Sequence, residues 1–349
     1  MTPLETIIRE MIAAEGPMPL DRYMSLALGH PQHGYYMTRD PFGRGGDFTT
    51  APEVSQVFGE LIGVWVAQVW QQMGSPRSFA LVEMGPGRGT LMADVLRVLA
   101  KAEKCLKAAS VQFVETSPVL RDAQAARVPE ATWHHTVASL PALPSIVIAN
   151  EFFDALPIRQ FEREGGRVFE RCVGVEDGKL FVGLVASPQS LPLKGDGVFE
   201  DGVIRNTVAA QLGDMLKTLG GAALIIDYGH LRSALGDTLQ ALKAHRPCAI
   251  TDHVGEADIT SHVDFEALGR SFVRGGARVA GVMTQGAFLN AMGLEARTQR
   301  LAQTVEGNAR EALVTGSLRL AGADQMGEMF KVMAVTAPGL PQPYPFGDA

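Results

Sequence analysis

The sequence predicts an α/β protein built on a doubly wound, mostly parallel sheet, and three observations support this fold class. Short unbroken apolar runs recur along the chain, as is typical of parallel strands that helices cover on both faces. Helical periodicity follows the first of these runs, so strands and helices alternate. Several runs also end at acidic or amide side chains, which places polar groups at the carboxyl edge of the sheet, where such folds bind ligands.

The sheet is expected in two segments, residues 76–160 with four strands and residues 221–337. Residues 1–75 are expected to form a helical cap around the glycine-rich loop 42–48. The segment between the two halves of the sheet, 161–220, is expected to be an insertion that contains a hairpin and a helix.

Three stretches complete the predicted organisation. The insertion contains Asp177-Gly178, a preferred two-residue hairpin turn, and a helix over 203–219 that ends at paired glycines. Residues 230–262 are expected to be irregular. The proline-rich tail, 338–349, is expected to pack little against the rest of the chain.

Composition and charge narrow the functional classes. The formal net charge of -7 disfavours nucleic-acid binding, which needs a basic face, and suits attraction of a basic protein surface. No apolar run approaches the roughly 18 residues of a membrane span. Because the start carries Glu5 and Glu10 and no apolar signal region, we expect no secretory or transit peptide and a cytoplasmic location. The cysteines are odd in number and far apart, which favours buried thiols in a reducing compartment, and we expect no bound metal.

The most informative stretch is Phe79-Ala-Leu-Val-Glu-Met-Gly-Pro-Gly-Arg-Gly-Thr90, where an apolar run turns through three alternating glycines into an amphipathic helix. Glycine permits positive φ and lets a ligand lie against the main chain. The spacing departs from the G-x-G-x-x-G dinucleotide fingerprint because Thr90 stands at its third glycine, and no lysine follows for a phosphate-binding loop. The remaining pattern, G-x-G-x-G with Glu83 two residues before it, resembles motif I of the class I S-adenosylmethionine-dependent methyltransferases.

A second strand end carries an acidic residue. The apolar run 111–114 ends at Glu115, and Ser117-Pro118 then begins a helix. A carboxylate at this place can accept hydrogen bonds from the vicinal hydroxyls of a ribose. A solvated loop glutamate is the alternative interpretation of Glu115.

A third strand, which starts at Ser145, has a polar carboxyl end with Asn150, Glu151 and Asp154. Packing alone does not explain such a cluster at a strand tip. Asn150-Glu-Phe-Phe153 partly resembles the [DN]-P-P-[FY] motif of nitrogen-directed methyltransferases, although both prolines are missing. The two phenylalanines are as readily explained as core residues.

Further motifs extend over most of the chain. They are Leu20-Asp-Arg-Tyr-Met24, His33-Gly-Tyr-Tyr36, Gly46-Asp-Phe-Thr-Thr-Ala-Pro-Glu-Val-Ser55, Gly85-Pro-Gly-Arg-Gly-Thr-Leu-Met92, Glu115-Thr-Ser-Pro-Val-Leu-Arg121, Asn150-Glu-Phe-Phe-Asp-Ala-Leu-Pro157, Ile226-Asp-Tyr-Gly229, Asp237-Thr-Leu-Gln240, Ala257-Asp-Ile-Thr-Ser-His-Val-Asp-Phe265 and Thr284-Gln-Gly-Ala-Phe288. Together they resemble the MidA-like family, which includes the mitochondrial complex I assembly methyltransferases.

This resemblance implies a Rossmann-like class I methyltransferase core whose last strand, 331–336, lies antiparallel between its two neighbours. It implies S-adenosyl-L-methionine as the cofactor and, from the eukaryotic members, methyl transfer to an arginine of a respiratory complex I subunit. The resemblance does not fix the substrate of this particular chain. The oligomeric state also stays open, and a homodimer is one option.

Candidate site residues lie at the glycine turn, at strand tips and in two loops. Those expected to bind the cofactor are Asp47, Glu83, Gly85, Gly87, Arg88, Gly89, Thr90, Glu115, Ser117 and Asn150. Those expected to be catalytic are Asn150, Glu151 and Asp154, with Asp258 and His262 as second choices. Arg88, in the first turn of a helix, needs an anion to offset the helix dipole, such as the cofactor carboxylate. Glu53 is at least as well explained by a capping box in Thr50-Ala-Pro-Glu53 as by contact with a ligand.

The predicted reaction is direct displacement at the sulfonium methyl, with the acceptor nitrogen held in line. An arginine acceptor is protonated at neutral pH, so carboxylates must hold the guanidinium while a proton is lost, and Glu151 and Asp154 are expected to do this. Three other classes stay open: a NAD-linked dehydrogenase, a small-molecule methyltransferase, and a catalytically silent assembly factor that binds its partner without turnover.

Overall fold

The computed structural model of the chain describes residues 1–41 and 50–347. Its helices are α1 (Pro3–Glu15), α2 (Leu20–Gly29), α3 (Tyr35–Thr38), α4 (Ala51–Val54), α5 (Gln56–Gln72), α6 (Thr90–Leu99), α7 (Glu103–Ala108), α8 (Pro118–Arg127), α9 (Val203–Leu219), α10 (Phe265–Gly275), α11 (Gln285–Ala291), α12 (Leu294–Ala302), α13 (Gly307–Ala321) and α14 (Met326–Met329). Its strands are β1 (Met18–Pro19), β2 (Phe79–Met84), β3 (Ala109–Val114), β4 (Thr132–His134), β5 (Ser145–Asn150), β6 (Arg159–Glu164), β7 (Arg167–Glu176), β8 (Lys179–Ala186), β9 (Gly197–Asp201), β10 (Gly221–His230), β11 (Gln240–Lys243), β12 (Arg246–Cys248), β13 (Asp258–Thr260), β14 (Val263–Asp264), β15 (Arg278–Thr284) and β16 (Phe330–Thr336).

The central sheet has the strand order β15-β16-β10-β5-β2-β3-β4, with β14 paired to the end of β10. The pairs from β10 to β4 are parallel, whereas β16 runs antiparallel to both β10 and β15. This arrangement confirms the predicted doubly wound α/β class and the antiparallel last strand. The chain adds β3 and β4 on one side of β2 and then returns to add β5 on the other side, so the strand order reverses at β2.

The central strands are largely apolar because helices cover both faces. In β2, Leu81 belongs to one buried cluster with Trp65 of α5, and Val82 belongs to another with Leu212 of α9 and Phe272 of α10. Alternate side chains of one strand therefore enter two cores. Helix α5, expected in the cap, and helix α9, expected in the insertion, both lie on the central sheet.

A smaller antiparallel sheet has the order β1-β7-β6-β9, and β8 pairs with β7. The hairpin at Asp177-Gly178 is present as β7 and β8, but it is part of this five-stranded sheet, which also includes β1 from the N-terminal segment. Leu4 and Tyr23 pack with Val173 and Ile259 in a third buried cluster. The N-terminal helices are thereby joined to the small sheet and to the region before α10.

Two expectations about irregular segments are wrong. Within 230–262, strands β12, β11 and β13 form a three-stranded antiparallel sheet. The tail also packs: the rings of Phe288 and Phe346 lie 5.9 Å apart, and the Gln342 amide donates to the carbonyl of Ala280. Apolar and amide side chains between the prolines explain this packing.

In the ranges the structure describes, no helix is long and apolar enough to cross a membrane.

Candidate functional site

A cavity of about 620 Å³ opens at the carboxyl ends of β2, β3 and β5, where the strand order of the sheet reverses. This is the place at which doubly wound sheets bind ligands. Its wall includes residues of the glycine turn, of both acidic strand tips and of the N-terminal helices. The described candidates that line it are Glu53, Glu83, Gly85, Gly87, Arg88, Thr90, Glu115, Asn150, Glu151, Asp154, Asp258 and His262.

The glycine turn has the backbone that its sequence predicts. Gly85, Gly87 and Gly89 have φ values of 59°, 54° and 76°, which residues with a Cβ rarely adopt. A Cβ on Gly85 would come within 3.0 Å of the Phe152 ring. Gln124 stabilises the turn by donating to the Gly87 carbonyl at 2.8 Å, and α6 begins directly after it at Thr90. Gly85 and Gly87 line the cavity, whereas Gly89 does not, so the predicted contact of Gly89 with the cofactor gains no support.

Glu83 is buried inside β2 and is 3 % exposed. Its Oε2 has no hydrogen-bond partner among the described residues, and burial raises the pKa of this carboxyl well above its ordinary value. Because an unpaired buried acceptor is costly, the site favours a donor or a cation beside Glu83.

Glu115 follows β3 and is 8 % exposed. One of its oxygens accepts the N–H groups of Thr116 and Ser117, both at 2.8 Å, and the other accepts from Gln124 at 3.1 Å. Burial raises its pKa, and these three bonds oppose that shift. The carboxylate is therefore held in one orientation at the cavity wall, with acceptor capacity left for further donors.

Ser117 does not line the cavity. It is fully buried, and its hydroxyl caps α8 by accepting the Leu120 N–H and donates to the carbonyl of Tyr36. The predicted contact of Ser117 with the cofactor gains no support, because the capping sequence Ser-Pro already explains the residue.

Arg88 and Thr90 have protein partners at the cavity. Arg88 lies just before α6, not in its first turn as predicted. It pairs with Asp40 at 2.7 Å, so a protein carboxylate is the anion beside it. The Thr90 hydroxyl donates to Glu53 at 2.7 Å. Glu53 therefore faces the cavity and binds the glycine turn, and the capping-box interpretation of it is wrong, since Thr50 makes no side-chain cap bond. Asp47 lies outside the described residues.

The tip of β5 is a strained, polar turn. Glu151 has a φ of 50°, which is rare for a residue other than glycine. Its Oε1 accepts the Ala51 N–H at 3.0 Å and the Asn150 amide at 3.1 Å. Burial raises the pKa of Glu151 to about 7. The Asn150 Oδ1 has no partner among the described residues.

Asp154 lies one turn beyond Glu151 and is 6 % exposed. Its Oδ1 also lacks a partner in the described part of the chain, although Tyr228 hydrogen-bonds the carboxylate. Burial raises the pKa of Asp154. Tyr228 itself lines the cavity, and its ring packs edge-on against His262 with centroids 5.4 Å apart.

Asp258 and His262, the second choices, border the same cavity. The Tyr36 hydroxyl donates to Asp258 at 2.8 Å and so connects the N-terminal helices to the far wall. Burial lowers the pKa of His262, which favours its neutral form. Sequence reasoning missed Tyr36 and Tyr228, although both lie within the family motifs. Among the described residues, no group of His, Cys, Asp and Glu side chains could hold a metal.

The residues present fit the cofactor that the motifs imply. Bare glycine main chain, the ordered Glu115 carboxylate and the unpaired Glu83 oxygen provide a close-contact surface and acceptors for hydroxyl and ammonium donors. No lysine and no phosphate-binding pattern is present in the turn, which suits a cofactor without a phosphate.

Comparison with known proteins shows the family to which the chain belongs. The family model described as "Putative S-adenosyl-L-methionine-dependent methyltransferase" matches residues 61–283. A protein from Burkholderia thailandensis, crystallised with S-adenosyl-homocysteine, has a TM-score of 0.83 and 26 % identity, covering 95 % of this chain and 91 % of that one.

Curated relatives are similar over nearly the whole chain. The Drosophila melanogaster protein named "Protein arginine methyltransferase NDUFAF7 homolog, mitochondrial" is 37 % identical, covering 94 % of this chain and 83 % of its own. Its human counterpart is 32 % identical, covering 96 % of this chain and 83 % of its own. These relatives are named mitochondrial proteins, which contradicts the cytoplasmic location expected from the chain start. The chain belongs to this family of S-adenosyl-L-methionine-dependent methyltransferases.

Proposed function

We propose that this methyltransferase acts on a guanidinium nitrogen of an arginine in a protein substrate. The observation that carries the proposal is a pair of buried acceptors at and just after the tip of β5, Asn150 Oδ1 and Asp154 Oδ1, which have no partner among the described residues. Both residues line the cavity. A guanidinium carries five N–H donors and no acceptor, so it can satisfy several such oxygens at once.

The relatives support the same acceptor. The Drosophila and human proteins are named protein arginine methyltransferases. The negative net charge of the chain also suits a basic protein surface. From the family resemblance we expect the substrate to be a subunit of respiratory complex I.

The glycine turn, Glu83 and Glu115 would hold the cofactor on one side of the cavity. When bound, S-adenosyl-L-methionine supplies an electrophilic methyl group. The acceptor side then consists of Asn150, Glu151 and Asp154, whose oxygens bind and orient the guanidinium. Burial that keeps water from this pocket strengthens each of these contacts.

Loss of a proton from the guanidinium is the difficult step, because the free group stays protonated far above neutral pH. Glu151 is suited to take this proton: its pKa is raised to about 7, so it is a stronger base than an ordinary carboxylate and is still largely ionised at slightly alkaline pH. The Ala51 and Asn150 contacts keep its carboxylate in place.

The test uses methyl-labelled S-adenosyl-L-methionine and a lysate that lacks this protein, with the wild-type chain or Glu151→Gln added back. We expect label in a protein band with the wild type and little with the variant. Label that appears only in the small-molecule fraction would instead identify a metabolite methyltransferase. Cofactor binding without any transfer would indicate an assembly factor.

A further inference from the structure

Arg205, in α9, is a charged side chain that the proposed reaction does not use directly. It is 5 % exposed and does not line the cavity at the carboxyl ends of β2, β3 and β5. Its guanidinium nevertheless donates to the carbonyls of Asp154, Leu156 and His262 at 2.7, 3.1 and 2.8 Å. All three acceptor residues line the cavity. Arg205 thus joins two separate wall segments, the turn after β5 and the loop before α10, from behind.

Ser261 strengthens this connection. Its hydroxyl accepts from Arg205 at 2.7 Å, and its N–H donates to the Asp154 carbonyl at 3.2 Å. The Asp154 carbonyl therefore receives donors both from Arg205 and from the opposite segment. Because the main chain of Asp154 is held in this way, its side chain stays at the cavity wall although Oδ1 has no partner there among the described residues.

Asp227, the second residue of the family motif 226–229 in β10, binds the N–H groups of the same turn. One carboxylate oxygen accepts the N–H groups of Phe153 and Asp154 at 3.0 and 3.2 Å. The other accepts the N–H of Tyr228 at 2.9 Å. The carboxyl group of Asp227 thus binds the N–H groups of the turn, and the guanidinium of Arg205 binds its carbonyls.

We infer that Arg205, together with Asp227, is a positioning residue that sets the distance between the Asp154 and His262 sides of the acceptor pocket. A planar guanidinium can bridge several oxygens in fixed directions, whereas a lysine ammonium cannot reach the same set. The inference rests on the proposed function, because it assumes that Asp154 and its neighbours hold the acceptor.

The test compares Arg205→Lys with Arg163→Lys. Arg163 also donates to main-chain carbonyls, those of Leu191, Leu193 and Gly195, and none of these residues lines the cavity at the carboxyl strand ends. We expect Arg205→Lys to lower kcat/KM for the protein acceptor at least tenfold, with the affinity for S-adenosyl-homocysteine changed less than twofold. Arg163→Lys should leave both unchanged.

Amide hydrogen exchange provides a readout that needs no turnover. Arg205→Lys should speed exchange in residues 153–156 and 261–262, and Arg163→Lys should not. Ser261→Ala, which removes one contact only, should give a smaller effect of the same kind and serves if Arg205→Lys does not fold. Unchanged exchange and unchanged kcat/KM in the folded variants would overturn the inference. If the wild-type chain methylates no arginine but exchange changes as expected, the proposed function fails and the positioning role stands.

Discussion

The carboxylate of Glu151 accepts the main-chain N–H of Ala51 at 3.0 Å and so connects the tip of β5 to the first turn of α4. This contact allows two explanations of Glu151: a helix cap that stabilises the fold, or a base held in place for the acceptor. The two explanations differ in the expected behaviour of a glutamine at this position.

We expect Glu151→Gln to lower methylation about 100-fold while binding S-adenosyl-homocysteine normally. A glutamine oxygen can still accept from Ala51, so the free energy of unfolding should change by less than about 1 kcal/mol. Calorimetric titration, thermal denaturation and label transfer measure the three quantities. Glu170→Gln, in the small sheet beside Arg159, is the control and should keep full activity. Full specific activity in Glu151→Gln would favour the capping role, because the glutamine keeps the bond from Ala51 but is no base.

Asp154→Asn should act in the same direction but more weakly, since Asp154 lies farther from the strand end and Tyr228 still contacts it. The KM for the protein acceptor should rise, because the substitution removes the charge of the carboxylate that is proposed to bind the guanidinium through Oδ1. Steady-state kinetics with varied acceptor decide the point. An unaltered KM would place the acceptor elsewhere, most directly beside Asp258 and His262.

Activity and stability should depend on pH with opposite signs. Burial raises the pKa of Glu151 from 4.5 to about 7, so the folded chain keeps a proton that the unfolded chain loses. Between these two values the contribution of this group to the free energy of unfolding falls as pH rises. Over the upper part of that range the basic carboxylate becomes more populated, so kcat/KM should increase through about pH 7.

Asp94→Asn is the control for this pH dependence. Burial raises the pKa of Asp94 to about 6, yet Asp94 does not line the cavity. The substitution should alter the pH dependence of Tm and leave the pH dependence of kcat/KM unchanged. A wild-type rate that stays flat from pH 6 to 8 would argue against Glu151 as the base.

Gly87→Val should abolish cofactor binding, because its side chain would enter the space along the glycine turn. Gly165 provides a matched control: its φ is also 54°, and a Cβ there would meet nothing within 4 Å. Both variants should lose stability from the strained backbone, by about 1 to 2 kcal/mol. Only Gly87→Val should lose the calorimetric signal of S-adenosyl-homocysteine. Normal binding by this variant would show that the turn is only a corner of the fold.

Glu115→Gln should weaken binding of S-adenosyl-homocysteine at least about tenfold, since a charged acceptor for the ribose hydroxyls is lost. Exposed Glu130 is the control. Equal affinity in Glu115→Gln and wild type would support the alternative of a loop carboxylate that only orders its own turn through Thr116 and Ser117.

The central sheet and most of the cavity wall could be predicted from the sequence. Both depend on short stretches of chain, namely apolar runs and the polar residues that end them. Strands that are buried on both faces consist of nearly continuous apolar runs, and the carboxyl ends of parallel strands meet at one edge of the sheet. Glu83, Glu115 and Asn150 therefore lie at one cavity although they are far apart in sequence.

Long-range pairing was harder to predict. The two-residue strand β1 pairs with Val173 and Cys172, and nothing in its own sequence indicates this partner. Likewise, the Tyr36 contact with Asp258 and the Arg205 contacts with two wall segments join distant parts of the chain. Asp227 ends an apolar run as Glu115 does, so the same signal marks it, but its role in holding the turn after β5 is visible only from the hydrogen bonds.

The most direct test of the central claim is to identify the residue that carries the transferred methyl group. The labelled protein band is excised after incubation with methyl-labelled S-adenosyl-L-methionine, hydrolysed to amino acids and separated against standards. We predict that the label elutes with methylated arginine and disappears with Glu151→Gln. Label in methyl-lysine or another residue, or equal labelling by Glu151→Gln, would contradict the account.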